Sequence, residues 1–325
     1  MSPGGRVISS GFRAPWWLKS AHLQTMFGTL FRRPPAIGLR RERIELADGD
    51  FLDLDWTPGA RGPVVLVLHG LEGSSDSPYA RGMLETVHAH GWRGVVMHFR
   101  GCSGVPNRLP RSYHSGDTGD LSEVAARLEA REDVSALAVV GYSLGGNVLL
   151  KWLGEQGPGA SVAAAVAVSV PYTLSVAADR LAKGLSRIYQ RHLIADLHAK
   201  LQRKFSRGAS PIDVELAGNS RNFWEFDDRV TAPLHGFDGV HDYYTRSSSR
   251  QYLAAIRVPT LMLHAEDDPF MTPDVLPSGD ELSPGVQLEV SAAGGHVGFI
   301  HGTLPWRPRY WLEERIPAFL KVHIG

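Results

Sequence analysis

The stretch AVVGYSLGGN, residues 138–147, reads as an apolar run that meets a glycine-flanked serine and then opens a helix. Ala138, Val139 and Val140 are apolar at successive positions, which suits a strand covered on both faces rather than one with a wet side. Gly141 stands two residues before Ser143 and Gly145 two after. A side chain at either place would collide with the neighbouring strand or helix in a sharp strand-to-helix turn. A serine on such a turn stands clear of the sheet. The same letters also describe a small-residue turn that merely ends a strand, so the rest of the chain has to supply the partners that a reactive serine needs.

Five further runs share the apolar character: PVVLVLHG (63–70), WRGVVMHFRG (92–101), AAAVAVSVPY (163–172), PTLMLHAEDD (259–268) and VQLEVSAAGGH (286–296). Helical stretches alternate with them at 79–90, 120–129 and 147–155, and another follows at 311–321. This alternation predicts an α/β fold with a mostly parallel central sheet and helices on both faces. Two alternating runs around Asp48-Gly49-Asp50, within 43–56, predict an N-terminal antiparallel hairpin with both arms half exposed. From 172 to 250 no core strand is legible, and Leu185, Ile188, Tyr189, His192, Leu193, Leu197 and Leu201 follow helical spacing. The expected organisation is a leader over 1–42 that packs on the core, a core over 43–171 and 251–325, and a helical lid insertion over 172–250.

In open parallel sheets, functional groups collect at the carboxyl ends of strands. A nucleophilic serine needs a base, and the base needs a carboxylate to hold its tautomer. His296 follows the last apolar run, and Asp267 and Asp268 end the one before it, so the order is Ser, acid, His. Asp267 is the expected acid, since Asp268 precedes Pro269 and is expected to shape the turn; Asp268 is the alternative. The N–H groups of Leu144, after the serine, and Leu71, in the loop after His69-Gly70, are the expected oxyanion donors. His69 is expected to be a structural histidine bonded to loop backbone.

Composition narrows the partners. Lys and Arg total 34 and Asp and Glu total 34, so no global field recruits nucleic acid. Cys102 is the only cysteine, which excludes an internal disulfide or a cysteine-based zinc cage. It lacks an adjacent base, and the YHSGDTGD segment lacks a complete metal-ligand set. No signal-peptide order or membrane-length apolar run is present, and the expectation is a cytoplasmic protein. No metal or organic cofactor is required by the expected chemistry. Between Lys183 and Arg207 seven basic residues face one acid, Asp196; a solvated lid face is the expectation, with peripheral contact to anionic lipid as the alternative. The greasy leader, with Trp16, Trp17, Phe27 and Phe31, is expected to pack.

The combination PWWLKSAHLQT, LHGLEGSSDSPYARG, GVVMHFRGCSG, YHSGDTGDL, GYSLGGN, EFDDRVTAPLHGF, HAEDDPF and GGHVGFI resembles the YheT-like hydrolases, the AB hydrolase 4 family of the α/β-hydrolase superfamily, from about Trp16 to Leu320. The resemblance implies the α/β-hydrolase fold, carboxylic ester hydrolysis on a small-molecule acyl ester, and a Ser, Asp and His at Ser143, Asp267 and His296. An acyltransferase with the same residues, an amidase or peptidase, and a non-catalytic binding or scaffold protein are the other readings of the same chain.

Overall fold

The computed structural model describes residues 4–33, 35–206 and 210–325. Nine strands form one sheet: β1 Arg6–Ser9, β2 Arg40–Glu45, β3 Phe51–Trp56, β4 Gly62–Leu68, β5 Arg93–Met97, β6 Val134–Tyr142, β7 Ala164–Val168, β8 Thr260–Ala265 and β9 Val286–Ser291. Their order is β1-β9-β8-β7-β6-β4-β5-β3-β2. All neighbours from β1 across to β5 run parallel, and only β3 with its neighbours β5 and β2 is antiparallel.

The continuous apolar runs have a direct cause. Alternate residues of β4 serve opposite cores: Leu66 and Leu68 pack with Leu121, Val139 and Leu149, whereas Val65 and Val67 pack with Met83, Val140 and Ile316. Helices α1 Ala21–Phe31, α2 Pro78–Ala89, α3 Gly119–Glu129 and α4 Leu144–Gln156 precede the lid. The lid holds α5 Leu174–Leu181, α6 Ser186–Phe205, α7 Val214–Gly218, α8 Phe223–Phe226, α9 Ala232–His235 and α10 Val240–Ser247, with a π turn at Asp227–Thr231. Among its described residues there is no strand. Helix α11, Leu312–Ile324, closes the chain and lies with α2 on the face opposite α3 and α4. Arg207, the last of the basic lid residues, lies outside the described residues.

Two expectations about the N-terminal third change. The hairpin arms are unequal, because β3 is an interior strand and all six of its residues are buried. Its outward carboxylates are neutralised in place: Arg43 Nε donates to Asp53 and Arg41 Nε to Asp55, each at 2.8 Å. The leader departs from the packing expectation as well, since β1 extends the sheet beside β9 while Trp16 and Phe31 stay exposed. Four residues were too short a run to read as a strand against their proline- and glycine-rich surroundings.

One buried ionic cluster ties hairpin, sheet and helix together. Arg100, just past β5, bonds Asp48 at 2.8 Å, Asp50 at 3.0 Å and Asp120 of α3 at 2.6 Å. Asp48 is partly exposed, but removing Arg100 leaves Asp50 and Asp120 buried without their cation. Arg100→Met is therefore expected to cost about 3–5 kcal/mol of unfolding free energy, measured by urea denaturation.

Candidate active site

Ser143 lies between β6 and α4 with φ 52° and ψ −117°, a left-handed conformation that a non-glycine residue adopts only when its surroundings enforce it. The enforcement comes from close packing. A Cβ on Gly145 would meet the carbonyl oxygens of His69 at 2.5 Å and Leu68 at 2.6 Å, and one on Gly141 would meet the Gly145 carbonyl oxygen at 2.5 Å. Only glycine fits either position, so α4 can start directly against the end of β4. The Ser143 N–H donates to Val168 O at 2.8 Å and its carbonyl accepts from Asn147 N–H at 3.0 Å, which pins the turn from both sides.

His296 follows β9 on a loop, with its Nε2 2.9 Å from Ser143 Oγ and its Nδ1 2.8 Å from Asp268 Oδ2. The sequence expectation of Asp267 is corrected here: the carboxylate against the imidazole belongs to Asp268. After β8 the chain makes a turn in which the Asp268 N–H donates to Ala265 O at 3.1 Å. That turn folds position 268 back onto the strand end and leaves 267 at the apex. Asp268 does shape the following turn, its Oδ1 accepting the Phe270 N–H at 2.8 Å, but its second oxygen stays free for His296. Asp267 Oδ1 accepts the Gly295 N–H at 2.9 Å, so it braces the histidine loop, and burial raises its pKa.

Several groups that hold the histidine escaped the sequence reading. Thr25 Oγ1 on α1 accepts the His296 N–H at 2.9 Å, and Gln24 Oε1 accepts the Ile300 N–H at 2.7 Å. Ser169 Oγ accepts the Val297 N–H at 3.0 Å, at a residue whose φ is 59°. The Phe270 ring stacks flat on the imidazole, with centroids 4.0 Å apart and planes 3° from parallel. The legible signal for the first two was a pair of polar residues, Gln24-Thr25, inside an otherwise greasy helix.

The Leu71 and Leu144 N–H groups have no hydrogen-bond partner among the described residues, and both residues line the cavity that holds Ser143 and His296. The Leu71 loop is held by Tyr79 OH, which accepts the Gly70 N–H at 2.8 Å. On its other side Glu72 has φ 52°, and its carboxylate accepts from Tyr113 OH at 2.7 Å and from Lys200 Nζ of the lid at 2.9 Å. His69 Nδ1 lies 2.7 Å from Gly70 O and its Nε2 accepts the Phe99 N–H at 3.1 Å, while burial pushes its pKa down to about 3. It is a neutral ring bonded on both sides to backbone. Burial likewise pushes the Cys102 thiol up to about 11, which leaves it protonated beside Lys200 Nζ at neutral pH.

Ser143, His296, Leu71, Leu193 and Phe270 line two cavities at once. The first, about 150 Å³, has a lid wall of Leu174, Leu181, Leu197, Leu201, Val230 and Leu234. The second, about 440 Å³, is bordered by Thr25, Thr29, Arg32, Ser77, Tyr310 and Glu313 and is the more polar. In the wall of the first, Asp227 accepts from Thr231 Oγ1 at 2.6 Å and Tyr244 OH at 2.8 Å, and burial pushes its pKa up to about 6. Burial also pushes His114, edge-on to His235 with centroids 4.5 Å apart, down to about 3. Among the described residues, no helix is long and apolar enough to cross a membrane.

Comparison with known proteins agrees with this architecture. Residues 63–303 match the α/β hydrolase fold family. YheT of Escherichia coli (strain K12) is 45% identical over 94% of this chain and 91% of its own, and phospholipase ABHD3 of Bos taurus is 29% identical over 98% of this chain and 80% of its own. The crystal structure of the Pyrococcus furiosus esterase Pf2001 superposes with a TM-score of 0.60 at 17% identity, covering 99% of this chain and 100% of that one, a likeness of fold. The chain belongs to the α/β hydrolases. Within them it is one of the YheT-like hydrolases, enzymes with an esterase-type fold.

The buried lid carboxyl has a consequence for stability. The folded pKa of Asp227, about 6, exceeds the ordinary 3.8, so the folded state holds the proton more tightly. The resulting stabilisation is complete below the unfolded value and is lost as pH rises through about 6, up to roughly 3 kcal/mol. Asp227→Asn keeps an acceptor for Thr231 or Tyr244 without the charge. It is expected to raise the melting temperature above about pH 7 and to give no gain below about pH 4, followed by thermal unfolding across that range.

Proposed function

We propose that this protein is a serine esterase that cleaves carboxylic esters through an acyl-enzyme, with Ser143 as nucleophile, His296 as general base and acid, and Asp268 as the orienting carboxylate. The observation that carries this reading is the unbroken chain of contacts from Ser143 Oγ to His296 Nε2 at 2.9 Å and from His296 Nδ1 to Asp268 Oδ2 at 2.8 Å. His296 takes the hydroxyl proton as Oγ attacks the ester carbonyl, and Asp268 stabilises the imidazolium that forms. The Leu71 and Leu144 N–H groups receive the negative oxygen of the tetrahedral intermediate, and that intermediate collapses as His296 returns the proton to the leaving alcohol. Water, deprotonated by His296, then attacks the acyl-enzyme and releases the acid.

The two cavities divide the substrate. The leucine-lined cavity under the lid suits an acyl chain, whose burial contributes about 0.8 kcal/mol per methylene. The polar cavity on the other side suits the alcohol. The same residues would serve an alcohol acceptor in place of water, and the ratio of hydrolysis to alcoholysis distinguishes the two.

The test is fluorophosphonate labelling and p-nitrophenyl ester turnover. Ser143→Ala is expected to lose labelling and to reduce kcat by about 10⁴ or more at an unchanged melting temperature. Asp268→Asn is expected to cost on the order of 10³–10⁴ in kcat and Asp267→Asn far less. The reverse ranking would return the acid role to Asp267, and a folded wild type that neither labels nor turns over any ester would remove the esterase reading.

A further inference from the structure

Helix α1 is amphipathic in the unusual sense. Its inward face carries Gln24 and Thr25, which hold the histidine loop, and Gly28, which borders the polar cavity. Its outward face carries Leu23, Met26 and Leu30, all exposed, and at the end of the helix Phe31, on the Gln24 side but past the loop it braces, is 68% exposed. The apolar surface continues beyond the helix. The Trp17 ring packs on Phe27 and Phe27 on Phe31, with centroids 5.6 and 5.2 Å apart. The indole N–H groups of Trp16 and Trp17 donate to Thr303 O and Gly302 O, which bind the leader to the loop that presents Trp306. Trp16 and Trp306 are 71% and 73% exposed. On the other flank, His22 stacks on Tyr189 at the start of α6, beside exposed Leu185 and Ile188. Scattered exposed apolar residues are ordinary, but a group of this size on one helix and on the loop bonded to the leader marks an interaction surface.

Charge selects the occupant. Residues 1–41 contain seven Lys and Arg and no Asp or Glu. Lys19 and Arg33 on the leader, Lys183 before α6 and Arg307 beside Trp306 are exposed and have no ion-pair partner among the described residues. Of the carboxylates near this face, Glu313 pairs with Arg32 and Glu314 with His301 and Arg309, Asp196 lies 3.6 Å from His192, and Glu85 is exposed with no ion-pair partner among the described residues, so the four free cations outnumber the free carboxylates. An apolar, tryptophan-bearing helix face ringed by free cations is what an interfacially bound segment presents to anionic lipid headgroups, with the apolar side chains entering the acyl boundary. A self-complementary contact between two copies would instead bring these like charges together.

We propose that the outward face of α1, with Trp16 and Trp306, docks the enzyme on an anionic lipid surface and so turns the mouth of its site toward lipid. The purpose of the docking rests on the ester reading above, but the docking itself does not depend on turnover. It is therefore measured on the Ser143→Ala chain, by co-sedimentation with vesicles of phosphatidylcholine plus phosphatidylglycerol and with vesicles of phosphatidylcholine alone. Binding to the mixed vesicles and little to the neutral ones is expected. The combined Leu30→Ser, Phe31→Ser and Trp306→Ser changes are expected to weaken it by about tenfold or more, and Lys19→Glu with Arg33→Glu to abolish the preference for the anionic lipid. In the wild-type background the triple serine variant is expected to keep its melting temperature and its turnover of a water-soluble short-chain ester, since none of the three side chains touches the site. Failure of the Ser143→Ala chain to sediment with mixed vesicles overturns the proposal, as does equal binding by the triple variant. A concentration-dependent dimer that the same variant abolishes, seen by sedimentation velocity without vesicle binding, overturns it in favour of a second copy.

Discussion

The close approach of α4 to the end of β4 is the constraint on which the site depends. Gly145 has no Cβ, so the first turn of the helix backs onto the carbonyls of Leu68 and His69, and the chain between β6 and α4 is forced through a left-handed residue. Ser143 occupies that residue. The same contact brings the Leu144 N–H, at the start of α4, to the loop that carries Leu71, so Ser143 and both candidate oxyanion donors are placed by one packing event. The backbone strain at Ser143 is a modest cost against the burial of a central strand on two faces, which is why the turn persists.

The histidine side of the site is built differently, by braces from distant parts of the chain. Its loop carries two non-glycine residues at positive φ, Val297 and Phe299, and is held by Thr25 and Gln24 from the leader, Ser169 from the end of β7 and Asp267 from the turn after β8. Each brace takes a backbone N–H that would otherwise be free to reorganise the loop. The two neighbouring aspartates thus divide the labour: one holds the backbone of the loop and the other faces the imidazole. The 172–250 insertion makes its own link to the core through Lys200 and Glu72, beside Leu71, so the helical wall of the first cavity and the Leu71 loop are joined.

This arrangement explains how the leader can serve two surfaces. A helix that presents polar groups inward to the His296 loop has its apolar residues left for the outside, which reverses the usual pattern of a surface helix. In α1 the inward polar pair Gln24-Thr25 and the outward Leu23, Met26 and Leu30 are two results of one choice of register.

Much of this architecture is legible in the sequence. Runs apolar at every position specify strands buried on both faces and G-x-S-x-G after such a run specifies the elbow, because these patterns depend on local spacing, while the order of Ser143, an Asp-Asp pair and His296 at strand ends narrows the set of partners through the common edge of a parallel sheet. Where the sequence fell short, the deciding contact joined residues far apart in the chain. The choice between Asp267 and Asp268 turned on which carboxylate a four-residue turn swings back toward a loop 28 positions later, and a one-residue difference in a turn carries no periodic signal. The bracing by Thr25 spans 271 positions, the strand β1 exists only because β9 offers it an edge, and the burial of β3 follows from its interior place in the sheet. The sequence by itself determined the core strands, the turn at Ser143 and a short set of candidate side chains; the tertiary structure alone decided which of them meet and where the edge strand β1 forms, because hydrogen bonds across the fold act over a few ångströms and leave no trace in the spacing of residues.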